Sequence, residues 1–508
     1  MVSSNVKITA FPAKRFFVEM LTRDIELSDS ILDLLDNCLD GVLRKNNFTP
    51  EQTFGKSDVY NGYHAHIEFD ENSFKIVDNC GGIPGELAEN YAFRLGRPSE
   101  REAEDLPTIG VYGIGMKRAI FKMGTSAQIK SKTDTEQFSV NISPEWMTDD
   151  NNWSLDLERS DVDLSETGVS IAINDLRNDI KASLSKDRDF ESDLINIIAN
   201  HYSLIIKKGF EVKINGKVVK PNSTTLIFDE SSIKDNTDGI APYIYKNESN
   251  GVSIKVAVGF YRNLPSDEEE EQLLSGRSTT EKAGWTIICN DRVVLHADKS
   301  KLTGWGEAGV PQYHTQFIGI SGVVIFTSSK AELLPITTTK RGVDGNSELY
   351  LSTKDFMREG LKFFTDFTYK WKANNEERKQ LISTASNMVS TTETDFAKSI
   401  PQEKWSTVRR SIGGQVFKPK LPMPRETDPL RQIKFSRRLS EIKLVSEFIF
   451  DDATQPPTEV GQYCFDEYLK KAKEGANKQV ISSQADSLIK ISRIWADFFP
   501  ANTSNQPI

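Results

Sequence analysis

The segment Ser28-Asp-Ser-Ile-Leu-Asp-Leu-Leu-Asp-Asn-Cys-Leu-Asp-Gly-Val-Leu constrains this chain more than any other stretch. Ser28 can serve as an N-cap, and apolar residues recur at Ile31, Leu35, Leu39 and Val42, so the segment predicts one amphipathic helix. Asp33, Asn37 and Asp40 are spaced i, i+4, i+7 and share the other face, with Asp36 beside them. A solvent face usually carries long Lys, Glu or Gln side chains. Short carboxylates and an amide suit a hard cation such as Mg²⁺, held directly or through its waters, with one carboxylate left to orient another water. Taken alone, the segment also fits the plain solvent side of a helix.

Two further segments carry candidate chemistry. Asp78-Asn-Cys-Gly-Gly-Ile-Pro84 follows a predicted strand; its glycines let backbone pass close to a flat ligand, and the aspartate can accept from an exocyclic amine. A plain turn is the alternative. In Thr108-Ile-Gly-Val-Tyr-Gly-Ile-Gly-Met-Lys-Arg-Ala119, Gly110, Gly113 and Gly115 lead into a helix N-terminus, whose free N–H groups favour phosphate, and Lys117 adds a point charge. The spacing is neither a Walker A loop nor a dinucleotide fingerprint.

The 508 residues suggest three domains, at about 150 residues each. Residues 1–185 alternate helix and strand patterns, with strands expected at 64–69, 73–77, 127–129, 137–142 and 169–173, an α+β sandwich. Residues 186–375 carry a hairpin at 210–219, turning on Asn215-Gly216, further strands near 253–261, 284–289 and 322–326, and a closing helix over 354–371. Residues 376–508 read as mostly helical, with a stiff linker at Lys418-Pro-Lys-Leu-Pro-Met-Pro-Arg425. The acidic run 267–271 reads as a solvated loop.

Four scattered cysteines without a CxxC pair argue against a disulfide framework or zinc site, and His64 and His66 form the one close histidine pair. A net charge of −10 disfavours a chain coated in nucleic acid as a whole. No apolar run approaches the roughly 18 residues of a membrane span, and the start carries no signal-peptide pattern. The expectation is a cytoplasmic protein that meets no membrane.

The three motifs, in this order and within about ninety residues, resemble those of the GHKL ATPases (gyrase, MutL, MORC proteins, histidine kinases): the N-box, the adenine-binding loop and the ATP lid. The lid is similar to the MORC version, and LLDNCLDG resembles the N-box of MORC, MutL and gyrase. The resemblance implies a Bergerat-type ATP-binding sandwich at 1–185, an S5-like α/β transducer at 186–375 and a helical region at 376–508. It implies ATP and Mg²⁺ as cofactors, with Asn37 ligating the metal and Asp78 binding the adenine amine. Gly82 would make room for the ring, with Ile83 beside it. Gly110, Gly113, Ile114, Gly115, Met116 and Lys117 would close over the phosphates, and Asp40 would lie near the nucleotide. Asn290-Asp-Arg-Val-Val looks like a transducer core, and Thr338-Thr-Lys340 is similar to the loop whose lysine reaches the γ-phosphate in gyrase.

The sequence departs from that pattern in three places. Asp33 stands where the catalytic Glu is usual, retracting the carboxylate by about 1.5 Å; a misplacement of about 1 Å can cost roughly 10²-fold in rate. Cys80 replaces the first glycine of the adenine loop. Val169 holds the slot of an adenine-side threonine, leaving Thr167 or Ser170 as substitutes. Such proteins generally use ATP to dimerise, so the expected activity is a nucleotide-gated homodimeric clamp. DNA is the first candidate client, through residues 404–438, where Lys404, Arg409, Arg410, Lys418, Lys420, Arg425, Arg431, Lys434, Arg437 and Arg438 interleave with Trp405, Phe417 and Phe435. A chaperone-like ATPase on protein clients, or a switch that scarcely hydrolyses ATP, are the alternatives.

Overall fold

The computed structural model describes residues 13–53, 56–94, 114–185, 189–222, 225–230, 237–262, 282–337, 341–372, 389–391, 397–409, 413–424 and 432–498. It divides into two compact units, residues 1–425 and 426–508.

The first unit holds two mixed sheets. Strands β1 (His64–Phe69), β2 (Phe74–Asp78), β3 (Gly124–Lys132), β4 (Gln137–Ile142), β5 (Leu157–Glu158), β6 (Gly168–Leu176), β7 (Glu211–Ile214) and β8 (Lys217–Val218) form one sheet. Its order is β5-β4-β3-β6-β2-β1-β7-β8, antiparallel throughout except where β7 runs parallel to β1. The helix Leu27–Asn46 buries Ile31, Leu35, Leu39 and Val42 in the core with this sheet's inward residues Ala65, Ile67, Ile129 and Ile173. It starts at Leu27 with Glu26 in the N-cap position, so Ser28 lies inside the first turn.

The second sheet contains β10 (Tyr243–Ser249), β11 (Val252–Phe260), β12 (Gly284–Cys289), β13 (Arg292–Asp298), β14 (Ile320–Thr327), β16 (Ser406–Thr407) and β17 (Gln415–Phe417); β9 (Leu226–Phe228) pairs separately with β15 (Val389–Thr391). The order is β13-β12-β14-β11-β10-β17-β16, with β12 and β14 parallel. The helix Glu348–Lys372 covers it, stacking Phe356 on Tyr245 at 3.6 Å and setting Phe364 edge-on to Phe260 at 5.2 Å.

Two boundaries differ from the sequence reading. The 210–219 hairpin, expected in the second domain, joins the first sheet through β1, and the helices Phe190–His201 and Ser203–Lys207 place Leu194, Tyr202 and Ile205 in the first core. Residues 406–407 and 415–417, expected in the helical region, add two strands to the second sheet. Alternation marks a strand and its inward face but not its neighbour. The turn itself is as expected: Asn215 and Gly216 both have positive φ, 46° and 80°, which a two-residue hairpin of this hand requires. The second unit contains the helices Leu439–Phe450 and Pro457–Phe498. No described helix is long and apolar enough to cross a membrane.

Candidate functional site

The polar face of the Leu27–Asn46 helix is not a solvent face. Between Leu27 and Leu43 every residue is buried except the partly buried Asp29 and the exposed Asn37. Asp33, Asp36 and Asp40 are all under the surface, and a buried carboxylate needs a partner. Three carboxylates of the helix are met by cations from three different elements. Arg341 pairs with Asp29, and Arg118 of the helix Gly115–Met123 pairs with Asp33 through Nη2, with Nε at 3.2 Å from the same oxygen. Asp36 turns instead to the second sheet, where Arg292 pairs with it and the Tyr202 hydroxyl donates to it at 2.6 Å.

Asn37 opens onto a narrow cleft that is continuous with solvent. The cleft brings residues from all three motifs together: Asn37, Asp78, Gly82, Ile83 and Met116 line it. Ile76, Val169 and Ile171 give it an apolar wall, which suits a flat ring held by a few placed polar groups. Asp78 ends β2 and is the polar anchor. Its Oδ1 accepts the amides of Cys80 at 2.8 Å and Val169 at 3.3 Å, and its Oδ2 takes the Cys38 thiol at 3.4 Å. Burial pushes the carboxyl above its usual range, against these hydrogen bonds. The Cys80 thiol lies against it as well, so a further donor would share the acceptor sites of the carboxylate, roughly four when ionised. The exposed amide of Asn37 on an otherwise buried helix fits a cation ligand facing the same cleft.

Thr167 and Ser170, the two candidate polar partners at this end, do not line the cleft. Lys45 Nζ donates to Thr167 Oγ1 at 2.9 Å, while Ser170 faces away from Val169 and Ile171, its neighbours on β6. Cys38, next to Asn37, is a side-chain donor to Asp78, and the Cys80 thiol is a second, neither marked by the motif patterns. Gly82 has φ +75°, and a Cβ there would strike the Lys132 carbonyl, so close packing on β3 demands glycine independently of any ring. Arg44, which none of the three motifs marks, lines the cleft and donates to the Gly82 carbonyl at 2.7 Å. It lies seven residues after Asn37 and so on the same helical stripe, the one signal that could have found it.

Gly110, Gly113 and Lys340 lie outside the described residues. Ile114 is the N-cap residue of the Gly115–Met123 helix, and Met116 reaches the cleft. Gly115 packs directly on Asp33: a Cβ there would stand 3.3 Å from the Asp33 Cβ. Lys117 does not face Asn37. Its ammonium is buried and donates to the Ala92 carbonyl at 2.8 Å, in a separate cleft walled by Trp146 and Trp153, and burial lowers its pKa to about 8. Helical phase is the reason, since each step turns the chain by about 100°. Arg118 is the cation that faces the Leu27–Asn46 helix, three residues after Gly115 and on its face.

The β12–β13 turn reaches the same region from the second sheet. Asn290 and Asp291 take the two positive-φ positions of the turn; Lys208 pairs with Asp291 at 2.5 Å and the Thr53 hydroxyl donates to it at 3.2 Å. His201 donates Nδ1–H to the Val293 carbonyl at 2.6 Å, and burial lowers its pKa to about 4, so it is neutral at pH 7. The tip of the second sheet is thereby fastened to the elements beside the candidate cleft.

Residues 25–178 match the family described as histidine kinase-, DNA gyrase B- and HSP90-like ATPase. The match spans the Leu27–Asn46 helix, the loop after β2, the Gly115–Met123 helix and β6, and so every element that lines the cleft. No curated protein matches this sequence.

Proposed function

We propose that the chain binds ATP with Mg²⁺ in the cleft between the Leu27–Asn46 helix and β2–β6, and hydrolyses it slowly as a nucleotide-gated homodimeric clamp. The observation that carries this reading is that Asn37, Asp78 and Met116, from three separate motifs, line one cleft inside the matched segment. Asp78 accepts from the adenine amine, the apolar wall holds the ring, and Asn37 ligates the metal, which would neutralise phosphate charge when bound. Asp33 orients the attacking water, Asp40 supports the nucleotide end of the helix, and Lys340 reaches the terminal phosphate.

A non-hydrolysing switch is the second reading. It is favoured by the one-bond retraction of Asp33 and by the engagement of its Oδ2 with Arg118. DNA as client rests on 404–438. Trp405 and Phe417 of that stretch are not free stacking platforms: Phe417 is buried in the second sheet, with Trp405 packed at 6.4 Å and Lys246 over the Trp405 ring at 3.9 Å. Phe435 is 67% exposed. Backbone charge, rather than stacking, would carry that contact, and its signature is binding that falls steeply with salt; binding without that dependence points to protein clients.

ATP binding and hydrolysis measured side by side test the central reading. Asp33→Ala is expected to bind ATP and lose turnover by about 10²-fold or more, and Asn37→Ala to lose the Mg²⁺-dependent part of the affinity. A wild type that binds ATP without turnover selects the switch. One that binds no ATP overturns the proposal.

A further inference from the structure

Resting on the ATP-binding reading, the geometry points to Arg118 as the phosphate-binding cation of the lid helix, held in reserve by an ion pair with Asp33 that the polyphosphate displaces. Two cations sit side by side at the start of the Gly115–Met123 helix, and the fold sends them in different directions. Lys117 is committed to the Ala92 carbonyl in the neighbouring cleft. Arg118 lies against the Leu27–Asn46 helix, with two guanidinium nitrogens on a single oxygen of Asp33.

The contact is closely built. Gly115 seats the first turn of the lid helix on the Asp33 side chain, and Arg118 sits one turn on, its own amide bonded to the Ile114 carbonyl at 2.9 Å. Asp33 is 3% exposed, and the Arg118 side chain 11%. Asn37 lies one turn from Asp33 along the same helix, and Met116, two residues before Arg118, lines the cleft with Asn37. Asp33 and Arg118 thus flank the cleft rather than line it, each beside a lining residue of its own helix, and the planar fork of guanidinium donors matches phosphate as well as carboxylate.

An arginine shared in this way exchanges one anion for another. With no polyphosphate, Asp33 neutralises the buried guanidinium, and the carboxylate is occupied. When a triphosphate arrives, its oxygens compete for the same donors. Transfer of Arg118 to the phosphates frees Asp33 Oδ2 to hold a water. The exchange links phosphate binding to exposure of the base, and it makes Asp33 a competitor of the ligand as well as a participant in its turnover. Asp33→Asn then removes the competitor and is expected to tighten ATP binding, although it abolishes the base.

The test is a double-mutant cycle on nucleotide affinity, with ATP and adenosine as probes and the full chain throughout. Arg118→Met, which keeps an apolar stem of similar length, is expected to weaken ATP about tenfold or more and leave adenosine unchanged. Asp33→Asn is expected to tighten ATP several-fold, and Arg118→Lys to recover part of the loss. In Asp33→Asn/Arg118→Met the tightening should vanish, because the freed cation is gone. If it persists in the double variant, Asp33 acts by plain repulsion of phosphate and the latch is overturned. Equal loss of ATP and adenosine in Arg118→Met would overturn it too, by showing a structural role only. Wild type binding neither probe would instead refute the ATP-binding reading on which the latch rests.

Discussion

At Gly41 the Leu27–Asn46 helix passes so close to the loop after β2 that a Cβ would meet the Cys80 carbonyl at 2.7 Å and the Cys80 Cβ at 3.1 Å. The loop carries a side chain where a third glycine would leave space, and the helix gives up its own side chain opposite. Cys80 is thus accommodated by Gly41, and the departure in the loop after β2 has its structural counterpart 39 residues earlier in sequence. Gly41→Ala is expected to cost about 1–3 kcal/mol, the usual range for overpacking a filled interior. Combining it with Cys80→Gly should return part of that, since the loop then has no Cβ and a freer backbone with which to move aside. Thermal unfolding of the two single variants and the double measures this. Costs that simply add would show that the two positions do not share space.

At the scale of the element, the Gly115–Met123 helix decides by phase what its neighbouring residues can do. Met116 reaches the cleft, Arg118 faces Asp33, and Lys117 is driven into an apolar setting that lowers its pKa from 10.5 to about 8. The unfolded chain therefore holds this proton over a pH range where the folded chain has released it, and stability contributed by this group rises between about pH 8 and 10.5. Below pH 8 the burial penalty is present in full. Lys117→Met should be more stable than wild type at pH 7, by on the order of 2 kcal/mol, once the lost bond to Ala92 is set against the relieved desolvation. That advantage should shrink to nothing by about pH 10. Denaturant unfolding of both proteins from pH 7 to 10 follows it; a constant difference across the range would mean that Lys117 does not titrate there. The same element shows where the sequence was readable. Its glycines and the order of the three motifs are local patterns, and the cleft they predict contains Asn37, Asp78, Gly82, Ile83 and Met116. The choice between Lys117 and Arg118 depends on one step of rotation, and the partners of Asp29 and Asp36 come from residues more than 250 positions away. Periodicity speaks of faces, not of which distant arginine will arrive at them. For the same reason β1 and β4 were legible to the residue, while the sheet that β7 would join was not.

For the first unit as a whole, the decisive fact is that the second sheet grips the helix that carries the candidate site. Arg292 begins β13 and enters the first core's edge, where Asp36 and Tyr202 meet it, all three nearly inaccessible to water. The Asp36 charge holds the Arg292 guanidinium above its ordinary pKa in spite of burial. Such a pair adds little over a well-packed apolar contact, but breaking it on one side strands a buried charge. Arg292→Met alone should therefore cost about 3–5 kcal/mol. Arg292→Met with Asp36→Leu should cost far less, because no charge is left uncompensated and the Tyr202 hydroxyl keeps the Leu32 carbonyl at 2.9 Å. Its location predicts more than its size. Asp36 is bracketed by Asp33 and Asn37, so loss of Arg292 should also weaken Mg²⁺-dependent ATP binding, and the double variant, though stable, should not regain it if the arginine fixes the helix in place. Denaturant unfolding and ATP titration of the same three proteins separate the two effects. If stability and affinity return together in the double variant, the contact is a fastening of the two sheets and not a route between the second sheet and the nucleotide.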